Sequence, residues 1–128
     1  MSYPKNYMYS KDHEWVVIED GVATIGITEY AVEHLGDIVH IEFPEIDDTL
    51  SQDSSFGTIE STKTVADCYM PVEGKVTDVN EELLKNFDTL AEDPYDEGWL
   101  IKVEPTSENT DHLMNAEEYE AYLEDLDE

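Results

Sequence analysis

Glu60-Ser61-Thr62-Lys63-Thr64-Val65-Ala66-Asp67 places a lysine in a short polar stretch between two β-like runs. A β-like run from Phe56 to Ile59 precedes it, and a second runs from Val65 to Tyr69 before Pro71. A strand, a tight polar turn and a returning strand make a hairpin with Lys63 at its tip. An amine held there extends into solvent, within reach of a modifying enzyme. Taken alone, a turn lysine is an ordinary solvated surface residue. Lys63 stands out because only six Lys and Arg face 33 Asp and Glu in the chain.

The pattern around the hairpin is mostly β. Trp15 to Ile18 and Val22 to Ile27 read as strands joined by the turn residues Glu19-Asp20-Gly21. Thr28 can cap a helix over Glu29 to Leu35, and Gly36 can end it in the left-handed conformation. Val39, Ile41 and Phe43 alternate with His40 and Glu42, the pattern of a half-buried strand ended by Pro44. After Gly74 a strand is expected over Lys75 to Val79, then a brief helix over Glu81 to Lys85 capped by Asn80. Residues 92–98 read as a loop, and Trp99 to Val103 as the last strand before Pro105. Near the end, Asn115 with Glu118 makes a capping-box pattern. Tyr119, Tyr122, Leu123 and Leu126 share one helical face, with acids on the other. A helix packed on the sheet is expected, with a partner-binding helix as the alternative. The expected organisation is a single domain over residues 1–128, with a β core at about 8–104 and a helical tail at about 113–126.

Composition narrows the function. The net charge is −27, and the six bases are all lysines: Lys5, Lys11, Lys63, Lys75, Lys85 and Lys102. Nucleic-acid binding needs clustered Lys or Arg, so it is not expected. Adsorption to anionic membranes is disfavoured for the same reason. Partners with basic docking surfaces are favoured. Hydrophobic residues make up 40%, enough for a modest core. Cys68 is alone, which excludes an internal disulfide and fits a reducing compartment. Met1-Ser2-Tyr3-Pro4-Lys5 does not read as a signal peptide, because no apolar region follows. The expected compartment is the cytoplasm for a bacterial chain, or the mitochondrial matrix for a processed eukaryotic one.

No enzymatic constellation is evident. His13, His34, His40 and His112 have no zinc-like spacing, and no phosphate loop or nucleophile elbow occurs. With so many carboxylates, two in one cleft would occur by chance. What remains is a β-rich scaffold displaying one lysine, a design that suits a covalently held cofactor.

At this point the chain resembles the glycine cleavage system H-protein family. The resemblance rests on Lys11-Asp12-His13-Glu14-Trp15-Val16, Gly26-Ile27-Thr28, Ala31 to Asp37, Pro44-Glu45 and Glu60-Ser61-Thr62-Lys63. It continues through Pro71-Val72-Glu73-Gly74, Val79-Asn80, Asp93-Pro94-Tyr95 and Gly98-Trp99-Leu100. It implies a mainly β fold, a lipoyl/biotinyl-type flattened barrel-sandwich hybrid with short helices and a C-terminal helix. It implies a non-catalytic carrier whose Lys63 bears lipoate in amide linkage. In that family the arm takes an aminomethyl group of glycine from the P protein, a glycine decarboxylase. It delivers the group to the T protein, an aminomethyltransferase, and is reoxidised by the L protein, dihydrolipoamide dehydrogenase. A lipoate ligase or a lipoyl/octanoyl transferase is the further partner implied, and the carrier is expected to be a monomer. Glu14, His34 and Asp67 match positions lining a cleft for the loaded arm, with Ile27 and Leu35 as apolar contacts. Their bland alternatives are a helix-end contact to carbonyls for His34 and simple solvation for Glu14. The family usually has Val and Ala around the lysine, where this chain has Thr62 and Thr64. That departure keeps an H-like lipoate relay as an alternative, alongside a biotin carrier and an unmodified acidic interaction module.

Overall fold

The computed structural model describes residues 4–106 and 110–126. Met1–Tyr3, part of the segment read as lacking a leader, lie outside the described residues, as do 107–109 and 127–128 within the expected domain span. Nine strands form two antiparallel sheets among the described residues, and neither closes into a barrel. The larger sheet runs β1 (Met8–Tyr9), β2 (Glu14–Glu19), β3 (Val22–Ile27), β9 (Ile101–Pro105), β8 (Gly74–Val79) and β5 (Thr49–Leu50) in spatial order. The smaller runs β4 (Ile38–Glu42), β6 (Ser55–Ser61) and β7 (Val65–Tyr69). The sheets face each other as a flattened sandwich. Val16, Ile25, Ile41, Ile59, Met70, Val76, Ile101 and Val103 fill its middle.

Strand β2 is buried on both faces at its start. Val16 enters the sandwich core, whereas Trp15 joins a second apolar cluster with Tyr9, Ala116, Tyr119 and Leu123. This second cluster seats helix α3 (Ala116–Leu126). The capping box forms as expected: the Glu118 N–H donates to Asn115 Oδ1 at 2.8 Å and the Asn115 N–H to Glu118 Oε1 at 3.0 Å. Tyr119 and Leu123 are buried and Tyr122 half-buried, but Leu126 is exposed, so the apolar face is shorter than its sequence pattern.

Other elements differ from expectation for identifiable reasons. Val39 is 45% exposed, because a β-bulge between Ile38 and His40 turns it outward while Ile41 stays in the core. Glu81–Leu84 forms only a 3₁₀ turn. Asn80 does not cap it; its buried amide instead donates to the carbonyls of Glu97 and Trp99, each at 2.8 Å, tying two segments of chain together. A short helix α2 (Asp88–Glu92) precedes the 92–98 loop. The last strand starts two residues later than expected and ends at Pro105.

Candidate functional site

The lysine turn is built by Ser61. Its N–H donates to the Thr64 carbonyl at 2.8 Å, and its Oγ accepts the N–H groups of Lys63 at 3.2 Å and Thr64 at 3.1 Å. A short hydroxyl satisfies two turn amides, which is how Ser stabilises tight turns. The Thr62 N–H donates to the Asp37 carbonyl at 3.0 Å, anchoring the turn to the chain leaving helix α1 (Glu29–Leu35). Lys63 is exposed at the tip. Its side chain lies back over Gly36, with Nζ 3.6 Å from where a Cβ at that residue would sit. Gly36 has φ of +81°, a conformation that L side chains rarely adopt, and it ends α1 as expected.

Beside the turn runs a groove of about 240 Å³. One wall is Thr64 of the turn, Ala66, Asp67 and Cys68 of strand β7, and Ile59 of β6. The opposite wall is the start of β2 and the end of β3: Asp12, His13, Glu14 and Ile27. Helix α1 closes it with Ala31, His34 and Leu35. All five cleft candidates, Glu14, His34, Asp67, Ile27 and Leu35, therefore line one groove that also includes Thr64, the residue after Lys63. Ile27, Leu35, Ala31 and Ile59 make most of its surface apolar.

Glu14 is not solvated. It is 2% exposed. Oε1 accepts the Ser10 hydroxyl at 2.6 Å, and Oε2 accepts the Tyr69 N–H at 3.3 Å. Burial pushes its carboxyl up to about 7; the bonds from Ser10 and Tyr69 oppose that, while nearby Asp12 and Asp53 add to it. Asp67, in contrast, is exposed at the rim. The Nδ1–H of His34 donates to the Tyr30 carbonyl at 2.9 Å, and its ring packs on Tyr30 at 4.1 Å, so His34 makes its helix contact and faces the groove at once. Cys68 is buried, and burial pushes its thiol well above the usual range, leaving it inert.

His13 was not singled out from sequence, yet it lines the groove. It sits in the left-handed region with φ of 72°, an uncommon conformation for a residue with a side chain. The Ser10–Glu14 turn requires it: the His13 N–H donates to the Ser10 carbonyl at 3.1 Å, and its own carbonyl accepts the Thr28 N–H at 2.9 Å. His13 Nδ1 lies 2.8 Å from the Tyr119 hydroxyl, which is 2.7 Å from Thr28 Oγ1. Burial lowers the imidazole's proton affinity, against the pull of Asp12. The groove wall is thus locked to α3. Only the long-range fold brings residues 13, 28 and 119 together, so no local signal marks them.

Comparison with known proteins gives one consistent result. Residues 7–126 match the family model described as Glycine cleavage H-protein. The glycine cleavage system H protein of Oceanobacillus iheyensis is 47% identical over 126 residues, covering 98% of this chain and 100% of the relative. That of Staphylococcus epidermidis is 48% identical over 120 residues, covering 93% and 95%. The crystal structure of a glycine cleavage system H protein from Mycobacterium marinum superposes with a TM-score of 0.89 at 40% identity, covering 95% of this chain and 99% of that one.

Proposed function

The chain belongs to the glycine cleavage H-protein family, and on that premise we propose that it carries lipoate in amide linkage on Lys63 and rests the arm in the adjoining groove. Its role is that of the carrier protein of glycine cleavage. It supplies attachment, presentation and shielding, while the P, T and L proteins carry out the reactions.

The groove's chemistry fits the group. A lipoyl-lysine is a long hydrocarbon arm, and the groove leaving the Lys63 turn is walled by Ile27, Ala31, Leu35 and Ile59. Glu14 and Asp67 are among its polar lining residues. When bound, lipoate supplies the dithiolane that takes up the aminomethyl group and gives it on. The chain's own residues do the rest. Ser61 holds the turn so that Lys63 is offered to the attaching ligase or transferase. The apolar walls exclude water from the arm, which slows loss of a hydrolysable cargo. The exposed Asp67, and Glu14 once its proton has left, attract an aminomethyl cation through bonds stronger than neutral ones.

The observation that carries this reading is the junction of an exposed hairpin lysine with a mostly apolar groove lined by a buried carboxyl group. The test is intact-mass measurement after incubation with lipoate, ATP and a lipoate ligase, followed by peptide mapping. One lipoyl group is expected on Lys63, and none on Lys63→Arg, whose guanidinium cannot form the amide. Lipoate mapped to another lysine refutes the assignment. The lipoylated chain should then support glycine-dependent CO2 exchange with a P protein. Efficient lipoate donation to other lipoyl domains without exchange would favour the relay reading that Thr62 and Thr64 raise.

A further inference from the structure

Ser10 is a buried polar residue, 9% exposed, to which the carrier reading gives no role. It lies behind the groove, in a second depression with Lys11, Asp12, Asp53 and His112. Its hydroxyl oxygen accepts the Glu14 N–H at 3.1 Å. That bond takes up a lone pair and leaves the hydroxyl proton to point elsewhere. The available acceptor is Glu14 Oε1, at 2.6 Å. Toward the ionised carboxylate, Ser10 donates and Oε1 accepts. On the other oxygen the Tyr69 N–H can only donate as well. A carboxylate with a donor on each oxygen keeps its remaining lone pairs for the groove. A protonated carboxyl would use one of them to hold its own hydrogen, and would no longer be acceptor-only toward a cation.

We propose that Ser10 is a positioning residue whose hydroxyl, held in place by the Glu14 N–H and donating to Oε1, favours the ionised form of the groove carboxylate and aims it at a cationic cargo. Hydrogen bonds to the charged form favour that form. Around Glu14 the other charges mostly work the opposite way. Asp12 and Asp53 both favour proton uptake. Asp67 adds negative charge at the groove rim, and Cys68 stays neutral. His13 and His34 face the groove, and Lys11 and His112 stand on the Ser10 side, but no ion pair joins any of these to Glu14 among the described residues. The Ser10 hydroxyl is thus the short, oriented contact that opposes burial.

The test uses the unmodified chain first. The Glu14 side-chain carboxyl is followed by carbon-detected NMR from pH 5 to pH 9. Ser10→Ala should raise its titration midpoint by about one pH unit, a tenfold change in the ionisation equilibrium. Ser10→Thr, which keeps the hydroxyl, should stay within a few tenths of a unit. Ser10→Cys, a weak donor, should fall between, and it replaces the alanine variant if that fails to fold. An unchanged midpoint in Ser10→Ala or Ser10→Cys overturns the proposal. The second readout rests on the groove reading above: release of the aminomethyl group from the loaded, lipoylated chain at pH 7. Release should quicken about fivefold in Ser10→Ala, matching the fall in ionised Glu14. It should not quicken further when Ser10→Ala is added to Glu14→Gln. A shifted midpoint with unchanged release leaves the Ser10 inference standing and overturns the groove reading instead.

Discussion

Replacing Glu14 by Gln should remove a pH dependence of stability that this one carboxyl imposes. In the unfolded chain the group titrates near its ordinary value of 4.5; in the folded chain burial raises it to about 7. Between those values the folded state binds more protons, so stability falls as pH rises. The contribution is whole below about pH 4.5 and lost once pH passes about 7. A displacement of that size corresponds to about 3 kcal/mol, and at 2% exposure solvent screens little of it. Urea unfolding of both proteins at constant ionic strength, from pH 5 to pH 8.5, isolates the effect, because the other acids titrate alike in each and cancel in the difference. Relative to Glu14→Gln, the native chain should lose most of those ~3 kcal/mol by pH 8. With a urea slope of ~1.5 kcal/mol/M, that moves the midpoints by about 2 M relative to each other. A difference that stays flat across this range would mean that Glu14 is ionised in the ordinary carboxylate range. The hydrogen bonds from Ser10 and Tyr69 would then outweigh burial, and the reasoning fails.

Gly26→Ala should destabilise the chain by about 1–3 kcal/mol, because a Cβ there would lie 2.5 Å from the Trp15 indole, itself pinned by its Nε1–H to the Pro94 carbonyl at 2.9 Å; unfolding with the same stability as the native chain refutes the packing argument. Tyr119→Phe removes the hydroxyl shared by Thr28 and His13. It should cost about 1–3 kcal/mol and speed amide hydrogen exchange in α3, and unchanged exchange there contradicts the proposed lock. Glu14→Gln with Asp67→Asn should leave lipoylation intact and speed loss of the aminomethyl group tenfold or more, since each charge-assisted bond contributes roughly 1.5–3 kcal/mol. Glu124→Gln with Asp125→Asn changes the net charge equally on exposed positions of α3; equal release from both pairs would assign the effect to global charge.

What was legible in the sequence was what local chemistry decides. The hairpin tip at Lys63, the Thr28 and Gly36 ends of α1 and the Asn115–Glu118 box are each set by a few adjacent residues. Val39 was misplaced because a bulge changes facing without changing the alternating pattern around it. Strands β1 and β5 have two residues each, too few for any periodicity. Asn80 looks like a cap in sequence, yet its partners lie 17 and 19 residues away. The groove was named through family resemblance, not spacing, because its walls come from residues 12–14, 27–35 and 59–68. The burial of Glu14 was the least legible feature. A carboxylate next to Trp15 reads as a surface group until the two sheets are placed around it.

That placement gives Glu14 two tasks that share one proton. Its backbone opens β2 in the larger sheet, while its Oε2 accepts the N–H of Tyr69 from β7, an edge strand of the smaller one. The carboxyl therefore bridges the seam along which the groove lies. An ionised carboxylate accepts both the Tyr69 N–H and the Ser10 hydroxyl more strongly than a neutral one. Protonation weakens the bridge and removes the groove's buried negative charge in the same step. With the carboxyl near 7, a cation entering the groove meets a group that is only partly ionised and draws the remaining proton off. Cation binding in the groove thus releases protons and tightens the contact between the sheets. A neutral ligand of the same shape would do neither, and calorimetry in buffers of different ionisation enthalpy separates the two cases.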